Sequence, residues 1–149
     1  MTLIRSMKIE DSNDVLDMMR VFYDSPAVIN KASDTILKQD IADCVSEMPF
    51  IEGFVFENDN KISGYAMIAK SYSTEYGGLC IWIEDLYIKP DYRGLGIGTQ
   101  FFDFIEKESK KMNAVRLRLE VEPTNSRAIE VYKKCGYKKL PYIEMTKEI

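Results

Sequence analysis

The sequence predicts a mixed α/β (α+β) domain, a mostly antiparallel sheet with helices packed on it. Three observations carry that reading. Two strand-like runs, Phe50 to Glu57 and Lys61 to Lys70, are joined by the turn sequence Asn58-Asp59-Asn60, so they should pair antiparallel. A third run, Leu79 to Ile88 (LCIWIEDLYI), is apolar, β-branched and aromatic, as a buried strand requires. Around these segments lie stretches with apolar residues at three- and four-residue spacing, the period of amphipathic helices.

In chain order, Leu3 to Ile9 reads as a first strand. Asp11 or Ser12 can cap a helix reaching about Tyr23, with Val15, Met18, Met19 and Phe22 on one face. After the loop Asp24-Ser25-Pro26, Ser33 caps a second helix carrying Ile36, Leu37, Ile41 and Val45, which stops near Pro49. The Phe50–Lys70 hairpin follows, and Tyr76-Gly77-Gly78 turns the chain into the Leu79–Ile88 strand. Phe101, Phe102, Phe104 and Ile105, set among Asp103, Glu106, Lys107 and Glu108, mark the central helix. Ala114 to Glu122 (AVRLRLEVE) alternates apolar and charged residues, as a strand with one wet face does. Asn125 or Ser126 starts a short helix to about Cys135, and Gly136 ends it. Tyr137 to Ile149 then supplies a final strand or hairpin. The order is β-α-α-β-β-β-α-β-α-β, without repeat or linker, and residues 1–149 are expected to form one domain.

Composition narrows the function classes. At 149 residues, with 46% hydrophobic and 11% aromatic residues, the chain can bury a substantial core. A net charge of −4 weighs against a nucleic-acid partner, because phosphate affinity comes from clustered Lys and Arg. No apolar run approaches the roughly 20 residues that span a bilayer, so no membrane partner is expected. Met1 to Arg5 shows no signal-peptide core, and a cytoplasmic location is expected. Cys44, Cys80 and Cys135 are odd in number and far apart, which suits neither a disulfide framework nor a zinc site. The absence of histidine removes Ser-His-Asp and Cys-His catalysis, and no metal is expected.

The segment Arg93-Gly94-Leu95-Gly96-Ile97-Gly98 lies between the Leu79–Ile88 strand and the central helix. Its glycines allow a tight turn and bring bare N–H groups to a ligand, and the helix start adds unpaired donors and a positive dipole end. Phosphate is the ligand such a turn holds. The Lys-Ser or Lys-Thr of a nucleoside triphosphate loop is missing, and the spacing is G-x-G-x-G rather than the dinucleotide G-x-G-x-x-G.

The string R-x-x-G-x-G, from Arg93 through Gly96 to Gly98 and preceded by Leu86-Tyr87-Ile88-Lys89-Pro90-Asp91-Tyr92, resembles the pyrophosphate loop of the GNAT (Gcn5-related N-acetyltransferase) superfamily. Asn125 to Tyr137 looks like the family's second signature, N-x-x-A-x-x-x-Y-x-x-x-G-F/Y. The resemblance implies a GNAT fold, in which two central strands splay and acetyl-CoA enters the gap. It implies acetyl transfer to an amine, with acetyl-CoA as acyl donor and no metal. By position, Arg93, Gly94, Leu95, Gly96, Ile97, Gly98 and Thr99 would hold the pyrophosphate, with Arg93 adding charge or acting through its backbone and packing. Leu86 and Ile88 would offer backbone hydrogen bonds to the thioester carbonyl and pantetheine arm. Asn125 would contact that arm or order its loop. Tyr132 matches a tyrosine that serves as general acid in many members, although a helical tyrosine is more often core. Homodimerisation is common in this fold and is an expectation here.

Glu84 and Asp85 are two adjacent carboxylates in an apolar strand, costly to bury unless hydrogen-bonded, paired or in a cleft. In a regular strand they face opposite sides, which leaves one at the wet position or paired with a lysine; a bulge would re-aim one of them. The polyamine (spermidine/spermine-type) branch of the family carries a similar E-D string before its loop, which implies Glu84 as base, directly or through water, and Asp85 as an amine-binding residue. Trp82 stands where the histone-acetylating branch has its glutamate. The acceptor site would draw on Phe22, Tyr23 and Asp24, and on the Tyr72–Tyr76 turn. The expected partner is thus a small-molecule amine, a polyamine or diamine first, with an amino acid, an antibiotic or a protein amine as alternatives. A non-catalytic acyl-CoA-binding sensor is the reading from another class.

Overall fold

The computed structural model describes residues 1–149. Five strands, β1 (Leu3–Ser6), β2 (Ile51–Asn58), β3 (Lys61–Ser73), β4 (Gly78–Ile88) and β5 (Arg116–Leu119), form one sheet in the order β1-β2-β3-β4-β5. All neighbours pair antiparallel except β4 and β5, which are parallel. The four helices are α1 (Ser12–Tyr23), α2 (Asp34–Cys44), α3 (Ile97–Lys111) and α4 (Ser126–Lys134). No helix is long and apolar enough to cross a membrane.

The helices cover opposite faces of the sheet, and each face has its own core. On one, Val15, Met18 and Met19 of α1 and Leu37 and Ile41 of α2 meet Val55, Tyr65, Met67 and Tyr87. On the other, Ile97, Phe101, Phe102 and Ile105 of α3 meet Phe54, Phe56, Ile68, Ile81 and Ile83. Strand alternation sends neighbouring residues to opposite cores, as Val55 and Phe56 do. The Ser33 hydroxyl accepts from the Ile36 N–H to cap α2, and the Asn125 side chain caps α4 through the Ala128 N–H.

Two features of β4 position the site. Met67 opposes Asp85 while Ile68 opposes Ile83, so Glu84 is an extra residue in the β3–β4 ladder, a β-bulge. The bulge inverts the strand's parity. Before it, odd-numbered Ile81 and Ile83 face α3; after it, even-numbered Leu86 and Ile88 do, and Tyr87 joins the α1–α2 core. Asp85 is thereby carried to the α1–α2 side. Secondly, β4 pairs with β5 only as far as Ile83 opposite Leu119, leaving Glu84–Ile88 without a strand on that edge. The expected splay is this gap.

Some boundaries differ from expectation. The first strand stops at Ser6 because Ile9–Asp11 coil into a 3-10 turn whose Asp11 carboxylate is held by Arg5. The β5 region pairs only over Arg116–Leu119, before acidic residues and Pro123. The expected strand or hairpin over Tyr137–Ile149 does not form. Pro141 cannot donate to a ladder, and Ile143 and Met145 are exposed at 90% and 94%, so no apolar face anchors the segment.

Candidate active site

The loop between β4 and α3 is built from main chain. Gly94 and Gly96 have φ of +78° and +79°, which side-chain-bearing residues rarely adopt. Gly98 differs, since it lies within α3 and a Cβ there would meet only Ile88 Cδ1, at 3.7 Å. The protein itself would accept alanine at 98, so nothing within the chain demands glycine there, and its far side is open. From Gly94 through Thr99 no main-chain N–H has an acceptor in the protein; the first bond of α3 runs from Gln100 N–H to the Gly96 carbonyl. The first turn of α3 has no side-chain cap and no acidic residue. This row of free donors at a positive helix end fits a pyrophosphate. Leu95 is exposed, whereas Ile97, the first residue of α3, packs into the core against the sheet.

Arg93 does not reach outward. Its Nε donates to the Ile88 carbonyl at 2.8 Å and its guanidinium lies 5.6 Å from the Tyr87 ring centroid, tying the loop to the end of β4. Lys89 N–H bonds to Ser63 O, so by alternation residues 87 and 89 point their polar groups at β3, and Leu86 and Ile88 point theirs into the gap. Of these the Ile88 carbonyl is already engaged by Arg93, and Leu86 is left to offer its groups there.

On the α1–α2 side the acids gather. Asp85 is 4% exposed, and its oxygens accept from the Tyr23 hydroxyl at 2.9 Å and the Tyr65 hydroxyl at 2.8 Å. Burial pushes its carboxyl up to about 6, against the two tyrosine hydrogen bonds that lower it, and Asp40 pushes it further the same way. No cation lies beside it. Phe22 stands edge-on to Tyr23, Tyr65 and Tyr87 and holds this aromatic cluster in place rather than lining the cleft alone. Glu84 keeps solvent contact on the bulge. It still sits deep enough between neighbouring elements that desolvation leads the causes raising its carboxyl, followed by Asp85 and Glu144. Asp40 of α2 is raised by burial, by Asp43 and by Glu84.

Tyr132 of α4 packs edge-on to Phe102 at 5.5 Å and lies 6.4 Å from Tyr137. Its hydroxyl has no partner in the protein and is not sealed off, unlike the Tyr137 hydroxyl, which is buried and unpartnered. Burial raises the Tyr132 phenol, so it stays protonated at neutral pH. Asn125, whose side chain caps α4, orders the helix that carries it.

Sequence reasoning missed Tyr65, which hydrogen-bonds Asp85 from β3, and Asp40, whose charge acts on it from α2. It also missed Arg118, whose guanidinium lies 4.2 Å from the Trp82 ring centroid. For Tyr65 no local signal exists; its hydroxyl is meaningful only because the bulge puts Asp85 opposite it. The AVRLRLEVE alternation showed that Arg118 was on a wet face, but not which one. No group of His, Cys, Asp and Glu side chains is arranged to hold a metal ion.

Known proteins share this construction. A cattle (Bos taurus) thialysine N-epsilon-acetyltransferase is 32% identical over 95% of this chain and 87% of its own length. A possible acetyltransferase from Clostridium difficile superposes with a TM-score of 0.86 over 99% of this chain and 97% of its own, at 20% identity. The aminoglycoside enzyme AAC(6')-Iy, in complex with the bisubstrate analogue CoA-S-monomethyl-acetylneamine, gives 0.83 over 100% and 99%, at 12% identity. The sequence profile of the acetyltransferase (GNAT) family matches residues 16–137. With the splayed strands and the free N–H row of its loop, the chain belongs to the GNAT family, the acetyl-CoA-dependent N-acetyltransferases.

Proposed function

We propose that this enzyme acetylates a terminal primary amine of a small cationic molecule, with polyamines and diamines as the simplest members, by direct attack in a ternary complex. The observation that carries the reading is the Asp85 carboxylate, buried with no cation beside it and flanked by Glu84 and Asp40. A buried charge without a counter-ion is costly, and an ammonium ion entering next to the Tyr23–Asp85 pair relieves that cost.

Bound acetyl-CoA supplies an activated acetyl thioester. The main chain from Gly94 to Thr99 binds its pyrophosphate, and the Leu86 N–H in the gap is positioned for its carbonyl. An ammonium cannot attack until it loses a proton, and Glu84, on the bulge and made more basic by desolvation and the neighbouring acids, takes it directly or through water. Tyr23 and Tyr65 fix Asp85 so that its charge orients the amine. Tyr132 holds a proton at its hydroxyl for the departing thiolate.

The test is acetyl-CoA-dependent thiol release across putrescine, spermidine, lysine, aminoglycosides and short peptides with free N-termini. Saturable release with small amines supports the reading. Release confined to peptides or aminoglycosides contradicts it.

A further inference from the structure

One side chain touches both the cofactor loop and the aromatic cluster around Asp85. The bulge that turns Asp85 to the α1–α2 side turns Tyr87 the same way. A residue that regular alternation would send toward α3 therefore lies in the other core, 8% exposed. Its ring packs against Tyr65, its register partner on β3, and against Phe22 of α1, each at 6.2 Å between centroids. Phe22 in turn stands edge-on to Tyr23, and Tyr23 and Tyr65 hold Asp85. The same Tyr87 ring carries the Arg93 guanidinium, 5.6 Å from its centroid.

The backbone leaves Tyr87 little freedom. Gly64 lies opposite Ile88 in the β3–β4 ladder, so close that the Tyr87 carbonyl oxygen leaves no room for a Cβ there. One residue on, the Lys89 N–H bonds to the Ser63 carbonyl at 2.8 Å. The 3-10 turn Pro90–Tyr92 then reverses the chain and brings Arg93 back over the strand end it has just left. Arg93 is exposed, and the groups that hold it are the Ile88 carbonyl, at 2.8 Å from Nε, and the Tyr87 ring. An exposed arginine left to itself spreads over many rotamers. Stacking on a fixed ring favours the ones that reach the Ile88 carbonyl, and that bond fixes where the Gly94–Thr99 row of free N–H groups begins.

We propose that Tyr87 is a positioning residue for the cofactor loop. Its ring, clamped by Phe22 and Tyr65, holds Arg93 on the Ile88 carbonyl and so sets the main-chain donors that take the pyrophosphate. Arg93 acts on acetyl-CoA through the loop, without a contact of its own to the phosphates. The cofactor and acceptor halves stay separable at Asp85 and share this joint. The inference needs no amine, so it stands or falls apart from the acceptor reading.

Calorimetric titration of acetyl-CoA into a small set of variants tests it. Tyr87→Leu keeps an apolar side chain but removes the ring, and should raise the acetyl-CoA Kd about threefold to tenfold, the size of one hydrogen bond with its stacking partner. Arg93→Met should raise it by a similar factor, and the double variant should be no worse than either single one, because both remove one brace. Tyr87→Phe keeps the ring and should retain wild-type affinity. In steady-state rates the loss should fall on the acetyl-CoA KM, with the amine KM held. Arg93→Met, at an exposed position, decides the matter even where Tyr87→Leu does not fold: its Kd should rise while keeping the wild-type salt dependence. An unchanged Kd in Arg93→Met, or a flatter salt dependence from a lost phosphate contact, overturns the proposal. So do losses that multiply in the double variant. A lower melting temperature in Tyr87→Leu with an unchanged acetyl-CoA Kd reduces Tyr87 to packing and overturns it as well.

Discussion

The cofactor half and the acceptor half of the site are made of different materials. The loop from Arg93 to Gly98 offers unpaired main-chain N–H groups; Arg93 turns in on the Ile88 carbonyl and Ile97 is buried, while Leu95 is exposed. The proposed acceptor half would work through side chains from four elements: Tyr23 of α1, Asp40 of α2, Tyr65 of β3, and Glu84 and Asp85 of β4. A main-chain site is local and tolerates changes around it as long as its φ angles survive. A side-chain site depends on register, and one inserted residue, Glu84, decides which face Asp85 occupies.

That contrast predicts where substitutions bite. The largest effect is expected for Glu84→Gln, which removes the proposed base without altering the bulge: kcat with a small amine should fall about a hundredfold or more, with acetyl-CoA affinity kept. Initial rates paired with calorimetry check it. Tyr132→Phe should cost about tenfold in turnover, again with little change in acetyl-CoA binding, and equal turnover would remove Tyr132 from the mechanism. Gly98→Ala is the converse case. It should weaken acetyl-CoA several-fold, because the methyl enters the space facing the ligand, while the melting temperature holds or rises slightly with the better helix former.

The smallest effect separates stability from function in Asp85. Its carboxyl is raised from 3.8 to about 6 in the folded protein, so between those pH values the native state binds more protons than the unfolded one. Stability is therefore lost as pH rises from about 4 to about 6 and is flat beyond, a cost of the order of 3 kcal/mol for keeping the buried charge. Asp85→Asn should melt higher than wild type at about pH 7.5, with the advantage gone at about pH 4. Parallel melting curves for the two proteins across that window would contradict the buried, uncompensated charge.

Legibility in the sequence follows the same division. The tight glycine turn could be read directly, because glycines at 94 and 96 answer a backbone demand visible within a few residues. The helices were legible from their apolar period, and Ser33 and Asn125 as caps from residue type alone. Glu84 and Asp85 stood out as acids in an apolar strand, but their facing depended on a bulge whose only proof is the opposing strand. Asp40, Tyr65 and Arg118 were silent because they matter through neighbours distant in sequence. The C-terminal segment departs from its expected strand for a different reason: its apolar residues resemble strand residues, yet Ile143 and Met145 find no face to cover.

The central claim is that the two halves are separable and that Asp85 belongs to the acceptor half. The most direct test is to titrate acetyl-CoA into Asp85→Asn calorimetrically and to measure amine saturation with the same protein. The account predicts an acetyl-CoA Kd within about twofold of wild type and an amine KM raised about tenfold or more, the size of a lost interaction with a charged partner. An unchanged amine KM, or equal losses for cofactor and amine, would contradict it.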